Sequence, residues 1–173
     1  TAFRFPVVRY WNIISIPVAS ADMSTAALFP LHVTPAYSFY GQYRVEEELT
    51  PGEGYWIKFN TGHDVWVAGS PSLSDTVDVV PGWNFIGSIA ETIPVGNLRT
   101  IPADLLSRYI YGYQSGSYIA NQIEPGKGYW VYALDAGKVI ISNSGLNSVA
   151  GSTVPRPDSN LNPTTVFCAP PPA

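Results

Sequence analysis

The chain has 173 residues, of which 46% are hydrophobic and 13% aromatic, while only 13% are charged, about half the usual share. This composition excludes a disordered chain, and 15 glycines with 16 prolines exclude a helical bundle or coiled coil. The net charge of −4 argues against a nucleic-acid partner and an anionic membrane surface. The absence of an apolar run of ~20 residues argues against a membrane span.

The first 80 residues alternate between β-prone runs and turn signals. Residues 11–17 form an apolar run that predicts a buried strand, residues 22–28 favour a short helix, and residues 37–40 favour a second strand. Pro51-Gly52 predicts a type II turn, in which the glycine supplies the positive φ. Asn60-Thr61-Gly62 predicts a hairpin turn that leads into the last strand of this part.

The same signals return further along the chain, which indicates a duplication. The run W-N-I-I-S-I-P from Trp11 recurs as W-N-F-I-G-S-I from Trp83, and P-G-E-G-Y-W-I from Pro51 recurs as P-G-K-G-Y-W-V from Pro125. Residues 102–107 predict a second short helix, with proline in its first turn. The predicted division of the chain is a leader (1–9), a first β repeat unit (10–80), a second β repeat unit (81–154) and a proline-rich tail (155–173).

These paired motifs resemble the W-N-L-I-x-x-P … P-G-x-G-Y-W-V repeat modules found, often in tandem, in secreted and surface proteins of bacteria and archaea. The resemblance covers both copies and departs from the pattern at Tyr10, where the modules usually have glycine, whereas Gly82 keeps it. It implies a secreted or cell-surface location and a module type without established catalytic residues.

The predicted fold class is all-β and mainly antiparallel, with two similar units of about 70 residues and one or two short helical turns. Units this small bury a limited share of their surface, so we expect them to pack together. The recurring aromatic and glycine positions are the predicted structural anchors: Trp11, Trp83, Trp56, Trp130, Gly54 and Gly128.

Residues with catalytic or metal-binding chemistry are scattered. His32 lies in a loop with a proline on each side, and His63-Asp64 follows a predicted turn without a nucleophile motif nearby. The acidic run Glu46–Glu48 has two interpretations, a calcium ligand set or a charged strand edge that discourages pairing, and the second is favoured because no calcium-loop pattern is present. The single Cys168 excludes an internal disulfide. We therefore expect no enzyme activity and no cofactor.

The leading functional hypothesis is an extracellular structural protein, a subunit of a filament, fibre or surface layer whose partners are other copies of itself. A terminal segment would dock on the sheet edge of a neighbour, or, in the alternative, both ends fold back onto their own chain. The docking candidates are Phe3, Phe5, Val7 and Val8 in the leader, and Thr165, Val166, Phe167 and Cys168 in the tail.

The alternative function is a carbohydrate-binding or adhesion module of a larger secreted protein. Flat aromatic rings stack on sugars, and several aromatics lie at turns or at positions that differ between the two copies. The simpler interpretation of the same residues is packing between strands. The candidates for stacking on a polysaccharide are Trp66, Tyr40, Tyr43, Tyr113 and Tyr118.

Overall fold

The structure, a computed structural model, describes residues 1–144. Residues 1–72 are called the first half below and residues 73–144 the second half. The strands of the first half are β1 (Ala2–Val7), β2 (Tyr10–Ile14), β3 (Val18–Ala19), β4 (Ala36–Phe39), β5 (Tyr43–Glu46), β6 (Tyr55–Phe59), β7 (His63–Ala68) and β8 (Ser70–Pro71), with helix α1 at Thr25–Leu28.

The second half is likewise built of short strands, with a 3-10 turn at Val95–Asn97. Its strands are β9 (Ser74–Val79), β10 (Gly82–Ile86), β11 (Ile93–Pro94), β12 (Arg99–Ile101), β13 (Tyr111–Tyr113), β14 (Ser117–Ile119), β15 (Gln122–Ile123), β16 (Tyr129–Ala133) and β17 (Gly137–Ser142). The strand pairs are antiparallel throughout the described part, which confirms the all-β class.

Each half contains a four-stranded inner sheet and a smaller outer sheet. The inner sheets have the orders β2-β6-β4-β5 and β10-β16-β13-β14, and the outer sheets are β1-β7 and β12-β17-β9. Pairing follows the sequence offset, since β2 pairs with β6 as β10 pairs with β16, and β1 pairs with β7 as β9 pairs with β17. Strands 72 to 74 positions apart in the sequence therefore hold matching places.

The hydrophobic core has three layers, and the two central strands contribute to two layers each. In β6, Tyr55, Ile57 and Phe59 face the core of the first half, whereas Trp56 faces a cluster of aromatic side chains between the halves. In β16, Val131 faces the second-half core, with Trp130 on the opposite side. Because both faces are buried, the Y-W-I and Y-W-V segments are continuously apolar instead of alternating.

The strand pairing divides the chain differently from the sequence prediction. The predicted leader contains β1, which holds the same place in the first half that β9 holds in the second. Each half therefore starts one strand before its tryptophan motif, at residues 2 and 74, instead of at 10 and 81. Comparison of the motifs alone does not detect this correspondence, because β1 and β9 share little sequence beyond alternating burial.

One of the two predicted helices is present. Residues 25–28 form α1, whose N-cap Ser24 side chain accepts a hydrogen bond from the Ala27 N–H. The second helix prediction, over residues 102–107, was wrong. Asp104 has a φ of 57°, which no right-handed helix accommodates, and the chain before it forms β12.

Candidate functional site

The two P-G-x-G turns meet where the halves pack together. Gly52 and Gly126 have φ values of 82° and 83°, as a type II turn requires. The Gly87 N–H donates to Gly52 O (2.6 Å), and in the matching contact the Ser15 N–H donates to Gly126 O (3.0 Å). Each turn is therefore hydrogen-bonded to the other half, in a nearly two-fold arrangement.

A buried serine pair lies beside these turns. Ser15 Oγ and Ser88 Oγ are 2.7 Å apart, and both side chains are fully buried. Ser88 Oγ also accepts from the Gly126 N–H (2.9 Å), and Ser15 Oγ donates to Lys127 O (2.8 Å). The serines thus satisfy polar groups that the contact between the halves removes from water.

The four predicted tryptophan anchors differ in burial. Trp56 and Trp130 have no exposed surface, Trp83 is 9% exposed and Trp11 is only partly buried. Trp56 packs against Tyr113 with ring centroids 4.7 Å apart, and Trp130 packs against Phe39 at 5.0 Å. These ring contacts cross between the halves, so the tryptophans stabilise the interface as well as each unit.

The asparagine side chains of the two W-N motifs hold the turns before their strands, a role that was not predicted from the sequence. Asn12 Oδ1 accepts from the Val8 N–H, and Asn12 Nδ2 donates to Val8 O and Tyr10 O, at 2.9 to 3.0 Å. Asn84 makes the same three bonds to Val80 and Gly82. Each asparagine closes the turn before its strand; the identical W-N pair in both copies was the available signal.

The leader pairs with its own chain. Phe5 and Val7 are buried in the first-half core, Phe3 is partly buried against it, and the Val8 N–H is held by the Asn12 side chain. In this arrangement Phe5 and Val7 cannot dock on a neighbour, because β1 already forms a ladder with β7. The leader therefore adopts the fold-back alternative. The tail candidates from Thr165 to Cys168 lie outside the described residues.

Both outer edges of the first outer sheet are unpaired within residues 1–144. The Gly69 N–H donates to Thr1 O and extends the β1–β7 ladder. Because every second residue of an antiparallel strand bonds to its partner, the peptide groups of Val65 and Val67 also face β1. Those of the alternate residues, Asp64, Trp66 and Ala68, then face the opposite edge. In the second half the corresponding edge of β17 is paired with β12.

The difference arises from the segment beside that edge. Counting 74 positions, α1 takes the place of β12, and α1 packs against β7. A helical turn bonds its own peptide groups and cannot complete a strand ladder. The edge of β1 is different, because Pro6 has no N–H to offer there. The β1 edge is therefore interrupted as a template, whereas the β7 edge keeps all its N–H groups and is called the open edge below.

The outer face of the β1–β7 sheet presents one large aromatic side chain. Trp66 is 65% exposed, and its position in the second half is occupied by Ile140. The Arg4 guanidinium lies 5.9 Å from the centroid of the Trp66 ring, and Arg4 Nε is 3.0 Å from Asp64 Oδ2. The other outward side chains of this face are small: Ala2, Pro6 and Ala68.

The other predicted sugar-stacking residues are not brought together with Trp66. Tyr113 packs against Trp56, and Tyr118 lies against Gly112 and the second-half core. Tyr43 contacts the Phe39 ring at 5.2 Å on the first inner sheet. Tyr40 is 40% exposed, beneath the Arg44 guanidinium.

A small cavity lies between the halves next to Tyr40. Its volume is about 10 Å³, the size of one water molecule, so it has no room for an organic substrate. Glu53 accepts from the Tyr55 hydroxyl at 2.9 Å. Burial, and then the Glu53 charge, raise the pKa of Tyr40 to about 12 and raise that of Tyr55 further. Both phenols are therefore neutral hydrogen-bonding groups at ordinary pH.

The histidines and the acidic run are tied to local structure. His32 Nδ1 bonds Thr34 O (2.7 Å) and His63 Nδ1 bonds Thr61 O (3.1 Å), and Asp64 points to the opposite face of β7 from His63. Glu46 ends β5, an edge strand. Within residues 1–144, no group of three or more His, Cys, Asp and Glu side chains could hold a metal ion, and no helix there is long and apolar enough to cross a membrane.

Comparison with known proteins gives no relative. No family model matches the chain, and neither the curated proteins nor the solved structures include a significant match.

Proposed function

We propose that the protein is a non-enzymatic extracellular structural protein, a subunit of a filament, fibre or surface layer whose copies are joined by strand docking. The observation that carries the proposal is the open edge of β7, whose counterpart on β17 is completed by β12. An unpaired edge is a template for another strand. The resemblance of the repeated motifs to modules of secreted and surface proteins supports the location.

The tail of another copy is the proposed donor. Residues 164–168 are β-prone and free of proline, unlike the rest of the tail. They begin 22 positions after Ser142, the end of β17, and a chain of that length reaches up to ~75 Å. Helix α1 contacts β7 beside the acceptor edge and buries Thr25 and Leu28, so docking of a strand requires this single turn to move and costs part of its packing.

Exposed apolar side chains support contacts between copies. Leu31 and Leu73 are each 59% exposed and Val45 is 57% exposed, in a protein with few charges to separate neighbours. Contacts between subunits would cover such side chains.

The experiment measures assembly of the full chain by light scattering and negative-stain imaging. Deletion of residues 160–173 removes the donor and should leave a folded monomer. Ala68→Pro removes one N–H from the open edge and spares the bonds to β1, so it should also prevent assembly. Ala68→Val keeps that N–H and is the matched control, which should assemble normally.

Each outcome bears on a different part of the proposal. A full chain that stays monomeric overturns the assembly function. Assembly of the truncated chain rules out the tail as donor, and assembly of the Ala68→Pro variant rules out the β7 edge as acceptor. Circular dichroism of each variant establishes that the sheets are still formed.

A carbohydrate-binding module remains the second candidate, favoured by the exposure of Trp66 beside Arg4 and Asp64.

A further inference from the structure

We infer that the outer face of the β1–β7 sheet, centred on Trp66, binds the pyranose rings of a neutral β-1,4-linked polysaccharide. The inference names the ligand class of the second candidate function and rests on that candidate. It uses the side chains of this face, whereas strand docking uses the peptide groups of its edge.

The face combines the two kinds of contact that a sugar ring offers. A pyranose with equatorial hydroxyl groups has an apolar surface of C–H groups, which packs on an aromatic ring, and a rim of hydroxyls. Trp66 supplies the ring, with 65% of its surface exposed. Arg4 donates and Asp64 accepts hydrogen bonds, so the pair can bond adjacent hydroxyls that are both donors and acceptors.

The charges favour a neutral ligand. Arg4 and Asp64 form an ion pair at 3.0 Å, which leaves the face without net charge. Both side chains are also well exposed, at 60% and 38%, so their remaining donors and lone pairs are open to a ligand. An anionic chain would gain from Arg4 and lose against Asp64.

The size of the face argues against a protein partner. Three outward residues on each of two strands, spaced as in an ordinary sheet, cover roughly 170 Å². A stable protein interface buries about 800 Å² on each side. The small neighbours Ala2, Pro6 and Ala68 leave room for a flat ring on the side of the indole that Arg4 does not cover. One or two sugar rings match this area.

The second half lacks the site, which gives an internal comparison. Lys138 stands in place of Asp64 and Ile140 in place of Trp66. Arg99 of β12 lies opposite Ile140 in the sheet, and Ile140 is only partly exposed. One site per chain is therefore expected.

The test is calorimetric titration of the full chain with cellohexaose and with the hexamer of N-acetylglucosamine, which share β-1,4 linkage and equatorial substituents. The α-1,4-linked maltohexaose is the control ligand. We expect binding of at least one β-linked hexamer, at one site per chain. Trp66→Ala should weaken it about tenfold or more, which corresponds to ~1.4 kcal/mol, whereas Trp66→Tyr should retain most of it.

Tyr10→Gly is the matched control variant. Tyr10 is also exposed, at 53%, and lies under the Arg9 guanidinium at 4.5 Å, and Gly82 stands at its place in the second half. Its removal should leave binding unchanged. Absence of binding to both β-linked hexamers overturns the inference, as does equal loss in Trp66→Ala and Tyr10→Gly. If Trp66→Ala lowers the assembly mass and no sugar binds, the face is a protein contact and the inference is wrong.

Discussion

Replacing Gly128 with alanine should weaken the contact between the halves. A Cβ at this position would lie 2.6 Å from Ile13 Cγ2, 2.8 Å from Ile14 O and 3.1 Å from Gly54 Cα. A side-chain methyl can move, but Ile14 O belongs to β2 and moves only with its sheet. The Gly128 N–H also donates to Ile13 O at 3.0 Å, and separation of the halves would lengthen that bond.

The expected loss follows from these contacts. Overpacking costs about 1–3 kcal/mol and a weakened buried hydrogen bond about 1 kcal/mol, so the free energy of unfolding should fall by roughly 2–4 kcal/mol. In a chain of this size that lowers the Tm by roughly 5–15 °C, which differential scanning calorimetry measures. Gly96→Ala is the control, because no atom lies within 4 Å of its added Cβ. Equal melting temperatures for the two variants would refute the close approach of the turns.

Two further predictions concern polar groups between the halves. Ser88→Ala leaves hydrogen-bond partners of the serine pair unsatisfied and should lower the free energy of unfolding by about 1–3 kcal/mol, measured by chemical denaturation. Ser72→Ala, the control at an exposed hydrogen bond, should lower it by less than half as much. Equal losses in the two variants would contradict the buried role of Ser88. Folding raises the pKa of Tyr40 to about 12, so the neutral phenol contributes to the free energy of unfolding. This contribution is complete below pH ~10, the ordinary pKa of tyrosine, and is lost as the pH rises from ~10 to ~12. Glu53→Gln should lower the pKa read from tyrosinate absorbance, and an unchanged value would contradict the role of that charge.

The sequence predicted the parts of the fold that depend on local signals. The apolar run after Trp11 and the Pro51-Gly52 turn correspond to β2 and a positive φ at Gly52. Residues 60–62 do connect two strands, but the hairpin prediction was wrong, because β6 and β7 belong to different sheets and do not pair with each other. The helix prediction over residues 102–107 failed because the same composition forms a helical turn in one half and follows a strand in the other. Local propensity does not decide between these outcomes; packing against β7 or β17 does.

Contacts between segments far apart in the chain could not be predicted from the sequence. The bonds of Ser15 with Ser88 and the approach of Gly128 to Gly54 join residues that are more than 70 positions apart. The second glycine of each P-G-x-G run was recognised as an anchor, but its reason, the lack of space for a Cβ at the other half, required the fold. Tyr10 and Gly82 share a backbone conformation that the sequence does not reveal. Tyr10 has a positive φ of 76° and Gly82 one of 101°, although only one of the two residues is glycine.

The two halves carry different side chains on their outer sheets, and there is a physical reason why such differences are tolerated there. The inner face of each half packs on the other, so a change at Trp56 or Trp130 affects both copies at once. The outer face carries no such constraint: Trp66 stands opposite Arg4 in one half, and Ile140 stands opposite Arg99 in the other. A scaffold of two similarly paired halves can therefore carry a binding surface on one half while the other maintains stability. The open β7 edge and the Trp66 face lie on the same copy, which places both proposed interactions on the outer sheet of the first half.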